Sequence, residues 1–263
     1  MRDDDDDGLN DKWPLFYDNY VVPRGYAYVL AQMNGTGFST GCPHHGGAGD
    51  IAGEKSVIDW LNGRVRGENA AGEPVVADWH NGSSAMIGKS YDGTLANGVA
   101  ATGVEGLKTI VPISAISAWY DYSRTGGVRH NTNYPASLSN TVTNPARRAL
   151  CLPTREDFNA QDGDDTGDIN AFWDERDYVK DVGKVKASVF ITHGFQDDNV
   201  RLNHVSQWWE ASRPTASRES SGSCGPATPT RSSRAAPCGS TRCTAGSTTT
   251  CTASRTGSTP RRR

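Results

Sequence analysis

From Ser212 to Arg263 the chain has no Trp, Tyr, Phe, Leu, Ile, Met, Val or Lys. A segment without large apolar side chains cannot offset the entropy of folding. Residues 212–263 are therefore expected to be a disordered Arg/Ser/Thr-rich tail with no strand paired to a sheet. Other absences exclude whole classes. No apolar run approaches the roughly 18 residues that cross a bilayer, so no membrane partner is expected. Met1 is followed by Arg2 and five aspartates, so no signal peptide is visible and no compartment is implied beyond a soluble protein. There is no G-x-G-x-x-G after a strand, no P-loop and no H-E-x-x-H, so no cofactor is implied. Cysteines are few and unevenly placed: Cys42 and Cys151 precede the tail, while Cys224, Cys238, Cys243 and Cys251 lie in it. The even count does not read as a disulfide framework. Cys42 and Cys151 are either a bridge or two free thiols.

What is present lies mostly before residue 212. Residues 1–211 carry 18 basic and 29 acidic side chains, a balance of −11; the tail carries nine arginines and one acid, a balance of +8. Residues 1–12, with the run Asp3 to Asp7, read as a solvated, disordered end. Residues 13–211 can build a core. Phe16 to Val22 suggests a short helix or loop stopped by Pro23. Gly25 to Met33 has the composition of a buried parallel strand. Asp50 is a plausible N-cap for a helix that places Ile51, Ile58 and Leu61 on one face and closes at Gly63.

The chemistry centres on Met86 to Leu95, M-I-G-K-S-Y-D-G-T-L. A short apolar stretch, a glycine-flanked serine and the Ala/Gly/Val-rich run Leu95 to Thr102 have the layout of strand, sharp turn and packed helix. A serine hydroxyl becomes a nucleophile when such a turn holds it proud of a sheet beside a base. The usual second glycine stands two places after the serine. Here Asp92 fills that place and Gly93 follows. Val104 to Ser114 is a second strand candidate, and Val189 to Ile191 a third, ending in His193-Gly194 and a double aspartate. A carboxylate just past the C-terminal end of a strand is where an open α/β sheet places catalytic groups.

G-K-S-Y-x-G together with F-Y-D-N-Y-x-V-P-R-G-Y-A (Phe16 to Ala27) resembles the Xaa-Pro dipeptidyl-peptidases, serine peptidases of α/β-hydrolase fold. So do Gly35 to Pro43, Asp50 to Gly63 and His193 to Val200. The resemblance runs from about Leu15 to about Ala211. It implies an α/β-hydrolase core, a mostly parallel sheet with flanking helices, and a cap insertion over about 117–182. It implies Ser90 as nucleophile, Asp197 rather than Asp198 as triad acid, and the Tyr91 backbone N–H as an oxyanion donor. The implied substrate is a peptide with proline at its second position. Trp119, Tyr120 and Tyr122 either line a proline-sized pocket or pack the cap on the core. The family's second oxyanion donor, a tyrosine hydroxyl upstream of the R-G-Y stretch, matches no residue here, so a shortened N-terminus is expected; its amino-group-binding acids are not placed on any residue.

No metal is expected. His44-His45 has no partner at ligand spacing. Asp162 to Asp168 resembles a calcium loop, but its twelfth position is Trp173, so it reads as an exposed turn. A triad also needs a base. Of the six histidines, only His204 follows Asp197, and it falls in a helix expected over Val200 to Ala211, with Val205, Trp208 and Trp209 inward. The tail's eight residue types have GC-rich codons. Shifting its frame by one base permits a strand with a Gly-His loop over Pro214 to Ser232 and an amphipathic helix over Cys238 to Thr256. A frameshift after Ala211 is the leading explanation, and it would leave the chain without its base and inactive. Two other functions remain open: an esterase or acyl-amino-acid hydrolase on the same fold, and a binding protein whose arginines meet nucleic acid. Arginine without interleaved aromatics favours the latter little, and no nucleic acid is expected.

Overall fold

The computed structural model describes residues 15–129 and 135–212, and the backbone of 250–255. The chain opens with α1 (Leu15–Val21), a 3-10 turn at Val22–Arg24 and β1 (Tyr26–Ala31). Helix α2 (Ala48–Leu61) and a small hairpin, β2 (Gly67–Glu68) with β3 (Pro74–Val75), follow. Then come β4 (Ser84–Lys89), α3 (Tyr91–Ala101) and β5 (Leu107–Ile113). The segment expected as the cap holds α4 (Trp119–Ser123), hairpin β6 (Arg124–Thr125) and β7 (Val128–Arg129), α5 (Pro135–Val142), α6 (Leu152–Gln161), α7 (Ala171–Asp174) and a 3-10 helix at Tyr178–Lys184. It returns to the sheet at β8 (Ser188–Val189) and α8 (Leu202–Ser212); β9 is Thr250–Arg255.

The main sheet runs β1-β9-β4-β5-β8. β4 pairs parallel with β5, Met86 opposite Ile110, and β5 pairs parallel with β8, Ile110 opposite Val189. Parallel neighbours need crossovers, and here α3 supplies one and the 114–187 segment the other. Helix α3 packs on β4 and β5 and against α2, and every one of its residues is buried. Its small residues, Gly93, Ala96, Gly98, Ala100 and Ala101, let it lie close to the strands. Ile58, Met86, Leu95, Val99 and Ile110 form the centre of the core. This is an α/β-hydrolase core. Among the described residues no helix is long and apolar enough to cross a membrane.

Three expectations need correction. β1 is not a buried parallel strand: it is half-buried at the edge of the sheet and pairs antiparallel with β9, Tyr28 opposite Ala253. The tail was expected to place no strand in the sheet, yet Thr250–Arg255 pairs antiparallel with both β1 and β4. Backbone N–H and C=O groups on the facing edges of β1 and β4 need partners whatever the side chains are, and composition does not register that demand. The rest of the proposed frameshifted tail, and residues 1–14, lie outside the described residues. Asp50 is not the N-cap of α2: Gly47 holds that place, and Asp50 points into the preceding loop. The acids of the 162–168 segment, read from the sequence as an exposed turn, are engaged by arginines. Asp162 binds Arg129, and Asp164 binds Arg124 and Arg129. Hairpin β6–β7 supplies both arginines.

The open question about the cysteines resolves as a Cys42–Cys151 disulfide across 109 residues of sequence. It ties the loop before α2 to the start of α6. Closing a loop of about 100 residues removes on the order of 4–5 kcal/mol of unfolded-state entropy in the chain-entropy model, with measured effects commonly 2–4 kcal/mol. Reduction, or the Cys42→Ser/Cys151→Ser pair, is expected to lower unfolding stability by about 2–4 kcal/mol. Urea titrations with and without reductant check this, and coincident curves would contradict it.

Candidate active site

Ser90 sits alone between β4 and α3, with φ 58° and ψ −119°. This backbone conformation is costly for a residue with a Cβ, on the order of 1–3 kcal/mol, and persists only where its surroundings enforce it. Two glycines allow it. A Cβ on Gly88 would stand 2.5 Å from the Asp92 carbonyl carbon, and one on Gly93 would stand 2.7 Å from the Gly88 carbonyl oxygen. Gly93, three places after the serine, thus provides the clearance between strand and helix, and Asp92 at the second place is buried. As the first residue of α3, Tyr91 has its N–H at the helix N-terminus, where intrahelical acceptors run out.

The C-terminal ends of the three parallel strands are stitched in line. Ser90 N–H donates to Ile113 O at 2.8 Å, and Ser114 N–H donates to Thr192 O at 2.8 Å. The loop that begins at His193 therefore leaves the same end of the sheet as Ser90. Its strand is separated from β4 by β5, one place further than a direct neighbour. In this loop Asp197 is half-buried and Asp198 exposed. Asp197 Oδ1 accepts from the N–H groups of Asn199 (3.1 Å) and Val200 (2.9 Å). His193 closes the loop from inside, its Nε2 donating to Val200 O at 2.7 Å. Tyr122 reaches the loop from α4, donating to Asn199 Oδ1 at 3.0 Å.

Of the three aromatics weighed for a pocket, Trp119 has no exposed surface. It packs on His45 at 4.2 Å and on Tyr91 at 5.0 Å, and its Nε1 donates to Tyr178 OH at 3.1 Å. Packing describes it better than lining. Tyr120 donates to Gly167 O and lies edge-on to Trp173. Tyr122 is buried edge-on to Trp119.

The groups that hold Tyr91 in place come from far along the chain. Its hydroxyl donates to Asp50 Oδ2 at 2.8 Å and accepts from Gly46 N–H at 2.8 Å. Asp50 also accepts from the N–H groups of His44 and Gly46. Arg176, from the insertion, donates to the carbonyls of His44 and His45, and Tyr178 donates to Gly46 O. The 44–46 loop is therefore clamped between the insertion and the residue that follows Ser90. An acid at a helix start has the chemistry of a cap, and here Asp50 instead serves the loop and Tyr91.

Asp50 and Glu54 lie one turn apart on α2, both buried. Burial, then Asp50's charge, pushes Glu54 up to about 8. The folded protein thus holds a proton at Glu54 that the unfolded chain, with an ordinary carboxyl, releases above about pH 4.5. The folded pKa is raised, so Glu54's stabilising contribution is complete below the unfolded value and is lost as pH rises towards 8. Glu54→Gln is expected to remove this slope. Its stability relative to the parent should rise between pH 5 and 8, by an amount on the order of a few kcal/mol. Parallel titration curves for the two proteins across that range would contradict the assignment.

The described histidines lie elsewhere than on Ser90. His45 is fully buried beside Trp119, and burial, then Arg176, holds it well below its usual pKa. His80 pairs with Ser84 Oγ at 3.0 Å. His204 lies inside α8, its Nδ1 accepting from Ser117 N–H at 3.4 Å. His130 is outside the described residues. Among the described residues no histidine is hydrogen-bonded to Ser90, and no cluster of His, Cys, Asp and Glu could hold a metal.

The family model for X-Pro dipeptidyl-peptidase (S15 family) matches residues 2–228. A Streptomyces avermitilis relative assigned as an Xaa-Pro dipeptidyl-peptidase is 52% identical over 202 residues, 76% of this chain and 30% of its own. A Streptococcus pneumoniae Xaa-Pro dipeptidyl-peptidase is 39% identical over 222 residues, 77% of this chain and 28% of its own. The chain spans about a third of the length of the curated relatives it matches. A solved Mycobacterium tuberculosis puromycin-hydrolyzing peptidase is similar over 69% of this chain and 22% of its own, with TM-score 0.44 and 14% identity. With the Ser90 elbow, the aligned strand ends and a family match over most of its length, the chain belongs to the X-Pro dipeptidyl-peptidase (S15) family of serine hydrolases.

Proposed function

We propose that this chain carries part of a serine peptidase site that releases N-terminal Xaa-Pro dipeptides. The observation that carries the reading is the strained Ser90 turn, at the same sheet end as the loop holding Asp197. Ser90 Oγ attacks the carbonyl that follows proline. The oxygen that becomes negative accepts from Tyr91 N–H. The C–N bond breaks as the amine takes a proton, and water then hydrolyses the acyl-serine. Asp197, whose Oδ1 accepts from two backbone N–H groups, is the acid that orients and stabilises a histidine base in this reading. That base comes from none of the described histidines. The aromatic cluster of Trp119 and Tyr122 backs Tyr91 and the Asp197 loop, so it supports the apolar wall a proline needs.

A chimera tests this. Residues 15–211 would replace the matched stretch of the Streptomyces avermitilis relative, which would supply the rest of the enzyme. The chimera is expected to release p-nitroaniline from Ala-Pro-p-nitroanilide. Ser90→Ala or Asp197→Ala in it should each cost about 10^4-fold or more. Cleavage of simple p-nitrophenyl esters but not of the anilide would favour the esterase reading. Full activity in Ser90→Ala would overturn the proposed nucleophile.

A further inference from the structure

Behind the Asp197 loop lies a small cavity lined by residues of four elements. They include Asn97 of α3, Pro112 of β5, His193 after β8, and Val205 and Trp208 of α8. Its water-accessible space is about 10 Å3, the size of a single water. Among the lining residues, Asn97 Oδ1, His193 Nδ1 and Trp208 Nε1 are buried polar atoms with no protein partner, and the His204 ring also lines the cavity. Asn97, His193 and Trp208 are only 2%, 6% and 1% exposed.

The chemistry of the three atoms is complementary. Asn97 Nδ2 donates to Ile116 O at 3.2 Å, which assigns its oxygen to the opposite side as an acceptor. His193 Nε2 donates to Val200 O, so in the neutral ring Nδ1 is also an acceptor. Trp208 Nε1 is a donor only. Two acceptors and one donor match the two O–H bonds and one lone pair of a water molecule. Buried polar atoms are satisfied by protein or by ordered water in nearly all native structures.

We propose that this cavity is a binding site for one structural water, which donates to Asn97 Oδ1 and His193 Nδ1 and accepts from Trp208 Nε1. The water joins three parts of the fold that share no direct side-chain hydrogen bond at this point: the helix after the nucleophile, the base of the Asp197 loop, and α8. It also holds His193 in the tautomer that closes the loop onto Val200. The inference rests on the cavity and its lining and is independent of the peptidase reading.

Water-selective NMR on the full chain with 15N-labelled tryptophan tests it. The Trp208 indole N–H, assigned through its loss in Trp208→Phe, is expected to show water cross-peaks of opposite sign in NOE and ROE spectra, as a water held for longer than nanoseconds gives. Asn97→Leu fills the space and removes one acceptor, so this pair of peaks should disappear while the other indole signals stay. A crystal structure at high resolution should show one ordered water within hydrogen-bonding distance of all three atoms. Absence of the cross-peaks in the parent protein, peaks of the same sign from simple exchange, or electron density showing a dry cavity would each overturn the proposal. Persistence of the peaks in a folded Asn97→Leu would do so too.

Discussion

The isolated chain is expected to hydrolyse Ala-Pro-p-nitroanilide about 10^4- to 10^6-fold more slowly than the chimera that completes it. The reason is cooperative chemistry. A serine hydroxyl attacks efficiently only while a base takes its proton, and removing one member of a triad costs nearly as much as removing all three. Ser90 is held in the right kind of turn and Asp197 in the right kind of loop. Yet no described histidine is bonded to Ser90, and His204, the one that follows Asp197, is turned into the fold towards Ser117 N–H. In the proposed mechanism, what remains is Tyr91 N–H as oxyanion donor together with binding, which alone would leave a small residual rate. Steady-state kinetics on matched samples of the chain and the chimera decide the matter. Comparable kcat/KM for the two would show that a base is already in place, and would return His204 to consideration.

Gly88→Ala and Gly93→Ala are each expected to destabilise the protein by about 3 kcal/mol or more, the upper end of what overpacking usually costs. In each case the added carbon meets backbone rather than the end of a movable side chain: the Asp92 carbonyl carbon at 2.5 Å for Gly88, the Gly88 carbonyl oxygen at 2.7 Å for Gly93. Relief requires α3 to move away from β4 and β5. That would open the core around Leu95 and Val99 and release the constraint on Ser90. For a domain of this size the change amounts to roughly 6–12 °C in Tm. Gly183→Ala is the control. A Cβ there meets nothing within 4 Å, so its Tm should stay near the parent's. Calorimetry of the three variants checks this, and a Gly93→Ala protein melting with the Gly183→Ala control would mean that the turn is not confined as described.

Much of the core could be read without coordinates because its signals are local. Strand β4, the glycine-flanked serine and the small-residue helix α3 follow one another within Ser84 to Ala101. Close packing of strand on helix demands those glycines wherever the segment lies. The apolar run before His193 and the paired aspartates after it likewise announce a strand end with an acid beyond it. The helix over Val200 to Ala211 shows its inward face by spacing alone, and Trp208 is buried as that spacing requires.

What only the tertiary structure decided are the choices that local pattern leaves degenerate. Asp50 has the chemistry of a cap, but the loop at His44 and Gly46 offers its N–H groups to the same carboxylate, and the fold brings Tyr91 there from far along the chain. Trp119 has the chemistry of a pocket wall, but His45, Tyr91 and Tyr178 converge on it and enclose it. Cys42 and Cys151 carry no pairing signal in their spacing, and they meet because the insertion folds back over the loop before α2. Thr250–Arg255 lacks the side chains of a central strand and still pairs on both sides, because unpaired strand edges select for backbone hydrogen bonds. Local pattern in the sequence determined the strand–Ser90–helix turn and the strand segments that follow it. Long-range packing decided which polar groups hold that turn in place, since a carboxylate, an arginine or a ring can be satisfied by several partners and only the assembled fold supplies one of them.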